Sequence, residues 1–297
     1  MTRSLLVLVA ALFVTASVPA QQSASILPRP SDLPAPQSAI VFGQHMVYYE
    51  AGEGPVLVLV HGFGSQALFD WGRVIKPLAQ NHRVIAVDQI GFGHSDKPFI
   101  DYKIQTFVDF LGEFLRVKGI KHFALAGESL GGWIVANYAI EALSPANQGA
   151  FALPVPDRLI LEDAAGHATI PHTMAVTASV QDSAGVAIVF HDKSLVNEDF
   201  IRRNWELKMQ ANDGETQRLL ANNPALASEL VTGKLGAINI PTLVVWGADD
   251  ELIPLTDGRD YAARIPNAKL VIIQNCGHAP SLEKPGEFIT ALEAFLR

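Results

Sequence analysis

One cysteine, Cys276, stands in a chain of 297 residues. A single thiol excludes an internal disulfide, so stability must come from the core. Neither H-E-x-x-H nor a paired Cys/His spacing occurs, so no metal centre is expected. Positive charge is scarce: 22 Lys and Arg face 30 Asp and Glu, for a net charge of −8. No basic stripe interleaved with aromatics is present, which argues against a nucleic-acid partner. Long apolar runs are scarce as well. The run at residues 4–14 is too short for a stable bilayer span, and no other stretch reaches that length. What the chain does have is apolar content. At 49% hydrophobic residues it can build one large domain, with or without an inserted cap.

The N terminus reads as a secretory signal. Arg3 precedes the apolar run, and the small-residue pattern Val18-Pro19-Ala20 follows it. Cleavage is expected after Ala20, which implies a secreted or periplasmic protein. Residues 21–38 are rich in Pro, Ser and Gln and read as an extended leader. Strand-like runs then alternate with helical stretches. "PVLVLVHG", "HRVIAVD", "HFALAG", "DRLILED", "PTLVVWG" and "KLVIIQN" are short, apolar and rich in β-branched residues. That rhythm predicts an α/β fold with a mostly parallel, doubly wound sheet, built from residues 39–166 and 237–297. Residues 167–236 break the rhythm. They contain no strand-like run and are far longer than a crossover needs, so they read as an inserted α-helical lid. In the lid, "NEDFIRRNWELKMQ" places Ile201, Trp205 and Met209 on one helical stripe.

The stretch "LAGESLGGW" sets Ser129 between two glycines, after a strand and before a helix. A serine hydroxyl is a weak nucleophile. It needs a base, a group that orients the base, and donors for a developing oxyanion. The spacing G-x-S-x-G in this context is a nucleophile elbow, with the Leu130 N–H aimed at the oxyanion. A base is available late in the chain: His278 follows Gly277 in a loop after the last strand. Asp249 and Asp250 lie directly past another strand end. The order Ser129, Asp250, His278 suits a triad of this architecture.

On these motifs the chain resembles the α/β-hydrolase superfamily. It is similar to the branch holding esterases, C–C bond hydrolases and cofactor-free haloperoxidases. The marks are "HGFG" at 61–64, "DQIGFGHSDKP" at 88–98, "GESLGG" at 127–132, "WGADD" at 246–250 and "GHAPSLEKP" at 277–285. The likeness runs from about residue 40 to the end and is weakest in the lid. It implies an α/β-hydrolase fold working without a cofactor. It implies Asp250, four residues before Pro254, as the acid, and the Phe63 N–H as the second oxyanion donor. His61 and His94 are then structural. Asp163, after the strand "RLILE", is a rival acid, because some relatives place theirs there.

The expected activity is hydrolysis of a carboxylic ester by a Ser129–His278–Asp250 triad through an acyl-enzyme. The substrate is a small, mainly apolar molecule, and Trp133, Trp205 and Met209 are assigned to its pocket. C–C bond hydrolysis and perhydrolysis use the same triad. Relatives of the C–C type commonly carry Trp soon after the histidine, where this chain has Ala279 and Pro280. Two readings come from other classes. One is a non-catalytic ligand receptor. The other is an NAD(P)-dependent oxidoreductase, suggested by G-x-G-x-x-A at residues 62–67 with Asp88 ending the next strand.

Overall fold

Alternation along each strand decides which face a side chain covers. In β3 (Val56–Val60), Leu57 and Leu59 face one side of the sheet and Val58 and Val60 the other, all buried. Each such burial contributes ~1.5–3 kcal/mol before the entropy of ordering is charged against it. The strands β1 (Pro36–Val41), β2 (Gln44–Ala51), β4 (Arg83–Val87), β5 (Phe123–Glu128), β6 (Arg158–Glu162), β7 (Thr242–Gly247) and β8 (Ala268–Ile273) complete one eight-stranded sheet. Its order is β1-β2-β4-β3-β5-β6-β7-β8. Strand β2 is antiparallel to both neighbours, and the other pairings are parallel. The α/β-hydrolase architecture expected from the motifs is the one formed. The computed structural model describes residues 26–29, 31, 33–167, 179–180 and 184–297. The segment read as an export signal, residues 1–20, lies outside them.

Helices cover both faces. Helix α1 (Ala67–Leu78) lies on one side, with Trp71, Val74 and Ile75 buried against Leu57, Leu59 and Val84. Helices α2 (Ile104–Val117) and α3 (Leu130–Ala142) lie on the other. Between β6 and β7 the described chain leaves the sheet and forms α4 (Glu198–Ala211) and α5 (Gly214–Ala221) with short 3-10 turns. The Asn197 side chain caps α4 by accepting the Phe200 N–H at 2.9 Å. After β7 come α6 (Leu255–Arg264), α7 (Pro280–Glu283) and α8 (Pro285–Leu296). No described helix is long and apolar enough to cross a membrane.

One sequence expectation needs correction. The buried face of α4 is Phe200, Asn204 and Ala211, whereas Met209 is 55% exposed and Trp205 only half-buried. The predicted stripe was about one residue, or roughly 100°, out of phase. Polar Asn204 and Arg203 occupy the inner side and hid it. The segment read as an extended leader also makes defined contacts. Leu27 is buried among Phe190, Phe200, Ala279 and Leu282. The Arg203 guanidinium donates to the carbonyls of Leu27 and Pro28, each at 2.6 Å. Pro28 sits against Gly72 of α1, where a Cβ would leave only 2.5 Å. Residues 26–28 therefore strap the insertion to the body.

Candidate active site

The elbow is set by how closely three segments pass. Ser129 follows β5 and takes φ 52° and ψ −115°, a backbone region that costs ~1–3 kcal/mol for a non-glycine residue. Its neighbours hold it there. The Ser129 N–H donates to Glu162 O and the Ala165 N–H donates to Ser129 O, both at 2.9 Å. The glycines at 127 and 131 answer a crowding problem. A Cβ on Gly127 would strike the Gly131 carbonyl, and one on Gly131 would strike the Val60 carbonyl of β3. The serine is thus lifted off the sheet by a turn only those glycines allow.

Three loops at the strand ends then converge. Ser129 Oγ lies 2.9 Å from His278 Nε2, and His278 Nδ1 lies 2.7 Å from Asp250 Oδ2. A carboxylate only accepts, so the proton belongs on Nδ1, and Nε2 is left to accept the serine hydroxyl hydrogen. Asp250 is pinned by the N–H groups of Leu252 and Ile253, which donate to Oδ1 at 2.8 and 2.9 Å. The His278 N–H donates to Val189 O at 2.6 Å. The structure brings Ser129, Asp250 and His278 together. Asp249 points elsewhere, to an exposed ion pair with His191 at 3.1 Å.

The loop carrying Phe63 passes beside the serine. A Cβ built on Gly62 would lie 3.2 Å from the Ser129 Cβ. Asp70 shapes this loop: its Oδ2 accepts the Gly62 N–H at 2.8 Å and its Oδ1 the Ser65 hydroxyl at 2.5 Å. Among the described residues, neither the Phe63 N–H nor the Leu130 N–H is taken by another group.

Sequence reasoning missed a set of buried carboxylates behind the triad. Glu128 is buried, and its Oε1 lies 3.5 Å from His278 Nε2. Burial, with Asp70 and Glu162 close by, pushes its carboxyl well above the usual range. Glu162 Oε1 accepts the Ser281 N–H at 2.6 Å, yet burial still pushes Glu162 up to about 8. Glu283 accepts the N–H groups of Gly277, His191 and Asp192 at 2.7, 3.0 and 2.8 Å. The available signal was position: Glu128 and Glu162 end strands whose other buried residues are apolar.

The remaining assignments divide. His61 Nε2 accepts the Gln89 N–H at 3.1 Å, and His94 Nδ1 lies 3.2 Å from the Tyr49 hydroxyl, so both brace loops. Asp88, which a dinucleotide site needs free for a ribose, is fully buried and accepts the N–H groups of Ala67 and His94 at 2.8 Å. Trp133 is 1% exposed, and its indole N–H donates to Glu229 O at 2.9 Å. It pins α3 to the end of the insertion. The pocket assignment of Trp133, Trp205 and Met209 is not one surface: the first is core and the last faces solvent. One group of described residues is compact enough to hold a metal ion, Asp163, Asp250 and His278, but the His278 nitrogens are already committed to Ser129 and Asp250.

Known proteins agree with this architecture. The chain is 31% identical over 271 residues to a 2-hydroxy-6-oxo-6-phenylhexa-2,4-dienoate hydrolase of Comamonas testosteroni, covering 84% of this chain and 90% of that one. Among solved structures it is similar to a meta-cleavage product hydrolase of Pseudomonas fluorescens IP01, with TM-score 0.79, 23% identity, and coverage of 90% and 98% of the two chains. It is also similar to a bacterial membrane phospholipase A, with TM-score 0.69, 26% identity, and coverage of 89% and 86%. A family model, described as the alpha/beta hydrolase fold, matches residues 55–285. That span runs from β3 through the loop of Phe63, the turn of Ser129 and the loops of Asp250 and His278, and the chain belongs to the alpha/beta hydrolase family.

Proposed function

We propose that the protein is a serine hydrolase that cleaves a bond to a carbonyl carbon. One observation carries this: Ser129 Oγ, His278 Nε2, His278 Nδ1 and Asp250 Oδ2 form a hydrogen-bonded line of 2.9 and 2.7 Å. In the cycle, His278 takes the Ser129 proton as Oγ attacks the carbonyl. Asp250 holds the tautomer and stabilises the charged imidazole. The Phe63 and Leu130 N–H groups receive the oxyanion. His278 then returns the proton to the leaving group, and water releases the acyl group.

For the scissile bond, the similarity to the Comamonas dienoate hydrolase favours a carbon–carbon bond beside a ketone, in a substrate whose leaving carbon is stabilised by conjugation. A second reading, hydrolysis of a carboxylic ester, is favoured by Ala279 and Pro280 directly after His278 and by the likeness to the phospholipase. The N-terminal signal pattern supports export of either enzyme, with cleavage after Ala20.

The test has two stages. A fluorophosphonate should label wild type at Ser129, and absence of labelling ends the serine reading. Then kcat/KM is compared between a 2-hydroxy-6-oxo-6-aryl dienoate and p-nitrophenyl esters of rising chain length. Turnover of esters alone overturns the C–C reading in favour of the second.

A further inference from the structure

The triad acid has a second carboxylate at its back. Asp163 follows β6 and is fully buried. One oxygen of Asp163, one of Asp250 and one nitrogen of His278 all lie within 4.8 Å of one another. The two acids are served unequally. Asp250 receives three donors, the N–H groups of Leu252, Ile253 and His278. Asp163 receives the Gly247 N–H on Oδ1 at 2.9 Å, while its buried Oδ2 has no partner among the described residues.

Two adjoining carboxylates cannot both carry a full charge in such a place without a cation between them. Asp250, with its three donors, keeps the charge. The unsatisfied oxygen of Asp163 then calls for a hydrogen, which turns a bare acceptor into a donor beside an acceptor. We propose that Asp163 is a positioning residue of the triad: its neutral carboxyl donates a hydrogen to Asp250 and limits how strongly Asp250 stabilises the charged form of His278. The inference rests on the triad reading above.

The surroundings agree. Burial, then the charges of Asp250 and Glu162, push the Asp163 carboxyl well above the usual range. Among the described residues, the titratable groups around it are Glu162 at the end of β6, Glu128 from β5, Asp250 from the loop after β7, and Cys276 and His278 from the loop after β8. None is a fixed cation. The backbone suits the role too. Asp163 sits at φ 41°, a left-handed conformation that Asp and Asn tolerate better than other side chains.

The experiment measures the rate of fluorophosphonate labelling at Ser129 against pH for wild type, Asp163→Asn and Asp163→Gly. Labelling needs the triad but no particular substrate. Asparagine tolerates the backbone and still donates a hydrogen, so the acid limb of its profile should stay within about 0.3 pH unit of wild type. Glycine fits the backbone and donates nothing. Asp250 then acts undiluted, and the acid limb should move up by roughly 0.5–1 pH unit. If Asp163 were ionised, both variants would lose a negative charge near His278 and both limbs would move down. A downward move in either variant, or a glycine variant that matches wild type, overturns the proposal. A wild type that resists labelling overturns the triad and this proposal together. A labelled wild type that turns over no ester leaves this result intact and counts only against the ester reading.

Discussion

The backbone N–H of His278 donates to the carbonyl of Val189, so the triad base hangs from the helical insertion as well as from the sheet. Glu283 closes the same joint by accepting the N–H groups of Gly277, His191 and Asp192. Glu283→Ala should leave three donors short of a partner, at a cost on the order of 1–3 kcal/mol for each one that stays buried. The expected outcome is a lower melting temperature together with slower Ser129 labelling. Glu283→Gln keeps one acceptor oxygen and should recover part of both. A normal labelling rate in Glu283→Ala would show that the joint does not position His278.

Removing the nucleophile should separate chemistry from folding. Ser129→Ala is expected to lose on the order of 10⁴-fold or more in kcat, as other serine triads do. Its circular dichroism should match wild type. Near-normal turnover by the folded variant would end the mechanism.

The two adjacent aspartates should behave oppositely. Asp250→Asn keeps the shape but favours the wrong His278 tautomer, so a loss on the order of 10⁴-fold is expected. Asp249 serves an exposed ion pair with His191, of the kind worth about 0–1 kcal/mol. Asp249→Asn should therefore stay within a few-fold of wild-type kcat/KM. Comparable losses in the two variants would place the acid incorrectly.

Stability should fall toward alkaline pH. Glu162 is pushed from 4.5 to about 8 in the folded chain, chiefly by burial. Between those values the folded chain holds a proton that the unfolded chain has released. Its contribution is fully present below about pH 4.5 and is lost as pH rises toward about 8. Glu128 is shifted in the same direction. Glu162→Gln cannot ionise, so its melting temperature should drop less than that of wild type between pH 5 and pH 8. Parallel curves for the two proteins would mean that Glu162 is charged in the fold.

The true inner face of α4 can be tested by contrast. Phe200 is buried among Phe190, Leu27 and Leu282, so Phe200→Ala should cost ~3–5 kcal/mol. Met209 is exposed, and Met209→Ala should change stability by no more than about 0.5 kcal/mol. Urea denaturation of both variants measures this directly, and a larger loss at Met209 would restore the stripe read from sequence.

The central strands were legible because burial on both faces leaves unbroken apolar runs such as "PVLVLV". The triad residues were legible because each sits just past such a run, where parallel sheets place their working loops. Glu128, Glu162 and Asp70 were not. A single acidic letter looks the same whether it is solvated or buried against backbone N–H groups, and only the fold supplies those donors. Helix α4 failed for a related reason. Arg203 and Asn204 sit on its inner side, and the leader carbonyls that Arg203 meets lie about 175 residues away in the chain.

That leader contact also sets an order of assembly. Residues 26–28 are the first described part of the chain to be synthesised, and apart from Gly72 beside Pro28 the partners named above, Phe190, Phe200, Arg203, Ala279 and Leu282, come much later. Closing so long a loop yields nothing until its far end exists. The strap therefore cannot be complete until Ala279 and Leu282, at α7, are in place to cover Leu27.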